Sequence, residues 1–279
     1  MAVKVHPLAV VEPGAELADG VEVGPFCHVG PRVQLGAGCR LISHVCVMNR
    51  VVAGRDNVFW PHSVIGADPQ DLKFRGEESQ LVIGDRNVFR ESCTVHIGTA
   101  NAGWITRVGD DNLFMAASHI AHDCWIGNHV LLANGVLLAG HIRVHDHAVI
   151  SGGTALHHFV TVGPFAFLGG MTRIVHDCPP FMIVEGNPAK VRGINKIALD
   201  RHHFAPEQVD AVKEAYRRLF KNGYQPARTA ESLDSLERDF PTLPCIRQIV
   251  DFIRNSALGT HGRYLETLRR DDRRRNPPR

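Results

Sequence analysis

The chain has 279 residues and a mass of 30.8 kDa, of which 44% are hydrophobic and 22% are charged. This composition is typical of a protein with a buried core and excludes a disordered chain. No apolar run approaches the roughly 18 residues of a membrane helix, and no secretory signal is recognisable at the N-terminus. The formal charge of +2 gives no reason to expect a nucleic-acid partner.

A six-residue period of apolar residues runs through the first two thirds of the chain. It covers positions 11–65, resumes over 83–95 and resumes again over 108–174, and all 25 positions in this phase are apolar. A hexad corresponds to one short strand and one corner, so that three hexads close one triangular coil. Stacked coils pair backbone to backbone at roughly 4.8 Å. The period predicts a left-handed parallel β-helix of about eight coils, which departs from the usual right-handed crossover.

Two segments interrupt the hexads, at residues 66–82 and 96–107. Both are polar and contain glycine, and we predict that they are loops extruded from the prism. Loops on a regular scaffold are common places for function.

A C-terminal helical domain is predicted after the hexads, where prolines end the prism. Helices are expected from about 205 to 222, 229 to 239 and 243 to 256. The division falls between a β-helix domain at 1–190 and a helical domain at 191–279. The last 17 residues contain seven arginines and are expected to form a solvated end. One flank of each prism is left uncovered, and self-association would bury it. A trimer matches the threefold cross-section of the prism.

A histidine-rich strip is predicted along one edge of the prism. Residues 118–124 read SHIAHDC, and Ile120 points inward, so His119 and His122 should lie at corners outside the core. A step of three hexads places Gly140 directly above His122. The strip continues through His141, His157 and His158.

Three interpretations of this strip compete: a ladder without chemistry, a metal site, or a general base beside an oxyanion donor. For the third, Asp123 would hold the imidazole of His122 in one tautomer, and Gly140 would offer an unhindered backbone N–H. Cys124 falls on an inward position and is interpreted as a small buried hydrophobe. Without a nucleophile beside His122, direct transfer to an acceptor hydroxyl is favoured. The seven cysteines include no C-x-x-C pair, which fits a reducing cytoplasm.

The residues also carry a resemblance that covers nearly the whole chain. Its motifs are GPFC at 24–27, QDLK at 70–73, IGDRN at 83–87, HIAHDC at 119–124, LAGH at 138–141 and GNP at 186–188. The chain resembles the UDP-N-acetylglucosamine O-acyltransferases of lipid A biosynthesis. The combination of HIAHDC with QDLK is the most specific part of this likeness.

The resemblance implies a homotrimer of left-handed β-helices with active sites between subunits. It implies transfer of an (R)-3-hydroxyacyl group from acyl carrier protein to the 3-hydroxyl of UDP-N-acetylglucosamine, without a cofactor or metal. By motif, His122 matches the general base, Asp123 its orienting acid and Gly140 the amide that binds the thioester oxygen.

Further substrate contacts follow from the same resemblance. Those expected at the sugar and acyl group are Asp71, Lys73, His119, His141, His157 and His158, and those expected at the nucleotide are Asn195 and Arg201. Gly170 matches the position that closes the acyl groove, and a glycine there leaves room for a chain of about 12 to 14 carbons. A metal-dependent hydratase and a non-catalytic scaffold remain as alternatives. The sequence also leaves open whether the acceptor is UDP-N-acetylglucosamine or its 3-amino analogue.

Overall fold

The computed structural model describes residues 2–221 and 226–269. Most of the chain is a left-handed parallel β-helix, as the hexads predict. Its three faces are sheets of 11, 9 and 8 strands, in line with about eight coils.

Faces 1, 2 and 3 are visited in turn along the chain. Face 1 consists of Lys4–Val5, Glu22–Val23, Arg40–Leu41, Val58–Phe59, Val88–Phe89, Leu113–Phe114, Leu131–Leu132, Val149–Ile150, Phe167–Leu168, Met182–Glu185 and Lys190–Ile194. Face 2 consists of Val10–Val11, His28–Val29, Cys46–Val47, Val64–Ala67, Thr94–His96, His119–Ile120, Leu137–Leu138, Ala155–Leu156 and Arg173–Ile174. Face 3 consists of Glu16–Leu17, Val33–Leu35, Arg50–Ala53, Gln80–Ile83, Ile105–Val108, Trp125–Ile126, Arg143–Val144 and Thr161–Val162.

The hexad residues form ladders inside the prism. Ile120 pairs in register with Leu138, and Leu138 with Leu156, which is the predicted step of three hexads. Every hexad position is buried except Val11 and Leu17, which are half-buried in the first coil. The inward ladders therefore form one continuous apolar core.

A second ladder, of buried asparagines, runs beside this core. The Nδ2 of Asn87 donates to Oδ1 of Asn57 at 3.0 Å, and the Nδ2 of Asn112 donates to Oδ1 of Asn87 at 2.8 Å. The same Nδ2 of Asn87 also donates to the Gly109 carbonyl at 2.9 Å. These amides satisfy corner backbone groups that the strands leave unpaired.

Both insertions are shorter than predicted. The strands Val64–Ala67 and Gln80–Ile83 extend into the first one and leave 68–79 without regular structure. The strands Thr94–His96 and Ile105–Val108 enclose the second, which contains a short 3₁₀ helix at Ala100–Ala102. All four residues of Gln80–Ile83 pair on both sides, with Arg50–Ala53 and with Ile105–Val108. These strands are therefore longer than the short strand of an ordinary hexad.

In the described residues, four α-helices follow the prism: α1 at Lys196–Arg201, α2 at Pro206–Leu219, α3 at Pro226–Asp239 and α4 at Pro244–Leu258. The prediction had no separate α1, which is only six residues long, and α3 begins earlier than expected because a proline suits the first helical turn. The helices share a second apolar core with Phe181 and Met182. The strand Lys190–Ile194 crosses the predicted division at 190/191, which stays a prediction. None of the described helices is long and apolar enough to cross a membrane.

The start of the arginine-rich tail is packed rather than solvated, contrary to expectation. The guanidinium of Arg263 is buried, donates to the Val175 carbonyl at 2.6 Å and forms an ion pair with Glu266. Asp177 accepts from the Tyr264 N–H at 3.0 Å and from the Ser256 hydroxyl at 3.0 Å. These part-buried polar contacts hold the 3₁₀ helix Tyr264–Leu268 against the protein. The rest of the tail, 270–279, lies outside the described residues.

Candidate active site

The candidate site is the corner between the strands His119–Ile120 and Trp125–Ile126. The chain turns there through Asp123, whose φ of 61° is in the left-handed region that Asp tolerates better than most residues. The N–H of Asp123 donates to the hydroxyl of Thr106 at 2.8 Å and fixes the turn.

His122 and Asp123 are joined as predicted. The Nδ1 of His122 lies 2.7 Å from Oδ2 of Asp123. That carboxylate is held by Thr99, whose N–H donates to Oδ1 at 2.8 Å and whose hydroxyl donates to Oδ2 at 2.7 Å. The side chain of Asp123 is only 1% exposed. A carboxylate fixed in this way holds the imidazole in the tautomer that is protonated on Nδ1.

Gly140 covers the imidazole of His122 from the next coil. A Cβ at position 140 would lie 2.6 Å from Cε1 of His122, so only glycine fits there. Within the described part of the chain, the Gly140 N–H donates no hydrogen bond. His122 lies at a corner outside the apolar core of the prism, as expected, but it is only 6% exposed. It is buried because Gly140 packs on the ring and the ring of His141 lies edge-on to it at 5.1 Å.

The other histidines of the strip differ in how closely they approach the His122–Asp123 pair. The ring of His141 stacks on Phe159 with centroids 4.5 Å apart, and its Nδ1 is 3.8 Å from Oδ2 of Asp123. The Nδ1 of His119 lies 2.7 Å from the hydroxyl of Thr94, and burial and then the neighbouring His122 lower the pKa of His119. His157 and His158 are exposed at the next coil.

His96 is a member of the cluster that the sequence did not reveal. Its ring meets that of His119 edge-on at 4.7 Å, and it is 3% exposed. Burial, and then His119 and His122, lower the pKa of His96 to about 4. It was missed because the second insertion lengthens this coil, so that Thr94 pairs with His119 across a step longer than three hexads. Thr99 lies in the same insertion and was missed for the same reason.

The first loop stands apart from this corner within one chain. It leaves face 2 after Ala67, and the strand Thr94–His96 separates its coil from that of His119. Oδ1 of Asp71 accepts from the N–H of Lys73 at 3.0 Å, which makes a local turn. Leu72 at the tip of the loop is 95% exposed.

Asn195 and Arg201 lie at the two ends of α1, beyond the last coils. Asn195 is buried and caps this helix: its Oδ1 accepts from the Ala198 N–H at 3.2 Å and its Nδ2 donates to the Phe165 carbonyl at 2.8 Å. Its amide is therefore used within the fold. Arg201 is exposed in the last turn of α1.

Gly170 is exposed at the top of the prism. A Cβ there would lie 3.3 Å from the Gly152 carbonyl oxygen. Its neighbour Met171 directs its sulfur toward Gly153, one coil earlier, and stays 83% exposed.

Two chemical alternatives can be compared with this geometry. His122, Asp123 and His141 are the one group of at least three possible metal ligands found among the described residues. Two ligands on a tetrahedral zinc lie roughly 3.3 Å apart at the usual bond lengths of about 2.0 Å. The 2.7 Å contact of His122 and Asp123 is a hydrogen bond instead. Cys124 is buried, and burial raises the pKa of its thiol to about 12, so it is no nucleophile.

Comparison with known proteins supplies the family. A family model described as Udp N-acetylglucosamine O-acyltransferase, domain 2, matches residues 177–261, and a bacterial transferase hexapeptide model of six repeats matches 105–140. The acyl-[acyl-carrier-protein]–UDP-N-acetylglucosamine O-acyltransferase of Rhizobium johnstonii is 40% identical over 250 residues, which are 90% of this chain and 91% of the relative. The chain belongs to this O-acyltransferase family.

Other relatives agree with this assignment. The enzyme of the same name from Stenotrophomonas maltophilia is 42% identical over 91% of this chain and 96% of its own. The crystal structure of a UDP-N-acetylglucosamine acyltransferase from Bacteroides fragilis superimposes with a TM-score of 0.86 at 37% identity, over 90% of this chain and 97% of the other. The predicted family and fold class are therefore confirmed.

Proposed function

We propose that this protein transfers an (R)-3-hydroxyacyl group from acyl carrier protein to the 3-hydroxyl of UDP-N-acetylglucosamine, in the cytoplasm, as the first step of lipid A biosynthesis. The names of its relatives supply the substrates. The observation that carries the chemistry is the buried His122–Asp123 pair beneath the backbone of Gly140.

The pair acts as a general base on the acceptor. With Nδ1–H donated to Asp123, the Nε2 of His122 carries the lone pair that takes the proton from the sugar hydroxyl. The hydroxyl oxygen attacks the thioester carbon, and the Gly140 N–H stabilises the oxyanion that forms. Collapse of this intermediate breaks the C–S bond, and the departing thiolate of the carrier takes the proton from His122. Cys124 has no part in the reaction.

The active site is completed across a homotrimer. Asp71 and Lys73 come from the first loop of a neighbouring subunit, since that loop stands apart from His122 within one chain. His119, His141, His157 and His158 bind substrate along the strip. Arg201 binds the nucleotide end. The buried Asn195 holds α1 in place, and in this way it sets the position of Arg201.

Turnover of UDP-N-acetylglucosamine with a panel of (R)-3-hydroxyacyl carrier proteins tests this function. We expect His122→Ala to lower kcat by about 10²-fold or more, because general-base catalysis contributes that much. His129→Ala is the matched control, since His129 is an exposed corner histidine elsewhere on the prism. Near-normal kcat in His122→Ala would refute the assignment of the base. Absence of turnover with every donor would refute the proposed assignment of the substrates.

A further inference from the structure

A cavity lies where the helices pack against the last coil of the prism. It measures about 890 Å³, which is within the range of small-molecule sites. The last strands of the prism contribute Ile174 and Val184 to its lining. The helices contribute Phe220, directly after α2, and Ile253 from α4. No lining residue belongs to the corner of His122, so the cavity is separate from the candidate active site.

The floor of this cavity is apolar and joins the two cores of the protein. Ile174 and Val184 belong to the core of the prism, and Ile253 belongs to the core of the helices. Val191 lies between them and packs against both cores. Val191 and Phe220 line the cavity and are only half-buried. An apolar segment of a ligand would therefore gain burial here, which is favourable in proportion to the area covered.

Three cations surround the apolar floor: Lys190, Arg192 and Lys221. All three are exposed, and none forms an ion pair within the part of the chain that the structure describes. The carboxylate in the described lining is that of Asp177, which accepts three hydrogen bonds, one at Oδ1 and two at Oδ2. The lining therefore has an excess of positive charge, which favours an anion.

We propose that this cavity binds the anion of a long-chain fatty acid. The alkyl chain lies on the apolar floor, and the carboxylate lies among the three cations. Arg192 presents the planar guanidinium that binds a carboxylate through two parallel N–H groups. A nucleotide fits less well, because its base and sugar would bury polar groups against Val184 and Ile253 without partners. The site takes no part in turnover, so the inference does not depend on the proposed function.

The first test measures binding to the full chain by calorimetry. We expect dodecanoate to bind about tenfold or more tightly than octanoate, because four more methylene groups are buried. Dodecyltrimethylammonium has the same chain length and the opposite charge, and it should not bind. Equal affinity for the two charges, or no gain with chain length, would overturn the proposal. Dodecyl phosphate is the remaining comparison, and a tenfold preference for it over dodecanoate would refute the carboxylate as the headgroup.

The second test locates the fatty acid with variants. We expect Arg192→Gln to weaken the binding of dodecanoate about tenfold, because the paired N–H groups are lost. Arg247→Gln is the matched control, since Arg247 is exposed on α4 and outside the lining, and it should bind as the wild type does. Unchanged affinity in Arg192→Gln would contradict the assignment. Loss of binding in Gly170→Met instead would place the fatty acid in the expected acyl groove and overturn the proposal.

A third measurement uses the position of the cavity between the two cores. A ligand that binds only the folded protein raises its melting temperature. We expect dodecanoate to raise the melting temperature of the wild type and of Arg247→Gln, and to raise that of Arg192→Gln less. The melting temperatures without ligand also show whether each variant is folded. An equal rise in all three proteins would show that Arg192 does not hold the carboxylate.

Discussion

The side chain of His96 is buried one coil before His119 without a partner for its Nδ1 in the described part of the chain. Burial lowers the pKa of His96 to about 4 in the folded protein, from 6.5. Between these values the unfolded chain binds the proton and the folded chain does not, so the free energy of unfolding falls as the pH falls from 6.5 to 4. The loss amounts to at most about 3 kcal/mol.

We predict that His96→Gln weakens this acid sensitivity, because glutamine does not titrate. Melting temperatures at pH 7.5 and pH 5 should differ less in the variant than in the wild type. His6→Gln is the control, since His6 is exposed near the N-terminus. An unchanged difference in His96→Gln would show that His96 does not set the acid sensitivity.

Gly170 is the residue at which acyl-chain length is expected to be selected. A side chain at this exposed position would begin beside the Gly152 carbonyl oxygen, which lies 3.3 Å from the position of a Cβ. We predict that the wild type prefers donors of about 12 to 14 carbons and that Gly170→Met shifts the preference toward ten. Each buried methylene contributes roughly 0.8 kcal/mol, so donors two carbons apart should differ about tenfold in kcat/KM. A ten-carbon preference in the wild type would contradict the prediction, and so would an unshifted variant.

The asparagine ladder is the element on which the corner backbone depends. Oδ1 of Asn87 accepts from both the N–H and the Nδ2 of Asn112, and its Nδ2 reaches Asn57 and the Gly109 carbonyl. All three asparagines are at most 1% exposed. Removal of the central amide leaves several buried groups without partners, and each costs about 1–3 kcal/mol.

We therefore predict that Asn87→Ala lowers the free energy of unfolding by about 3 kcal/mol, measured by urea denaturation. The control is Asn134→Ala at an exposed corner, for which a change within about 0.5 kcal/mol is expected. Equal effects in the two variants would mean that the ladder does not stabilise the prism.

The elements differ in how far the sequence could predict them. The inward ladder was predictable because 25 positions share its six-residue period. The contact between His122 and Gly140 followed from the step of three hexads. His96 and Thr99 were not predictable from that step, because an insertion changes the local spacing. The packed segment 263–269 has no period at all. It depends on the half-buried Asp177, whose contacts with Ser256 and Tyr264 span 79 and 87 residues of the chain.

For the molecule as a whole, the expected homotrimer gives a mixing experiment. His122→Ala and Lys73→Ala chains should each be inactive alone, because the two residues act in one site. Unfolded together in equal amounts and refolded, they should regain about a quarter of wild-type activity, which is the fraction of intersubunit sites with both residues intact. Each variant refolded alone is the control. No recovery in the mixture would indicate that both residues act from the same chain.

The coil of three hexads restricts how the site can change in evolution. Each coil advances the chain along the prism axis by roughly 4.8 Å and returns every side chain to the same edge. A partial coil of one or two hexads would move the ladder of Ile120, Leu138 and Leu156 to another face of the prism, away from the edge that carries the site. The axial separation between the first loop and His122 can therefore change only by whole coils, in multiples of roughly 4.8 Å.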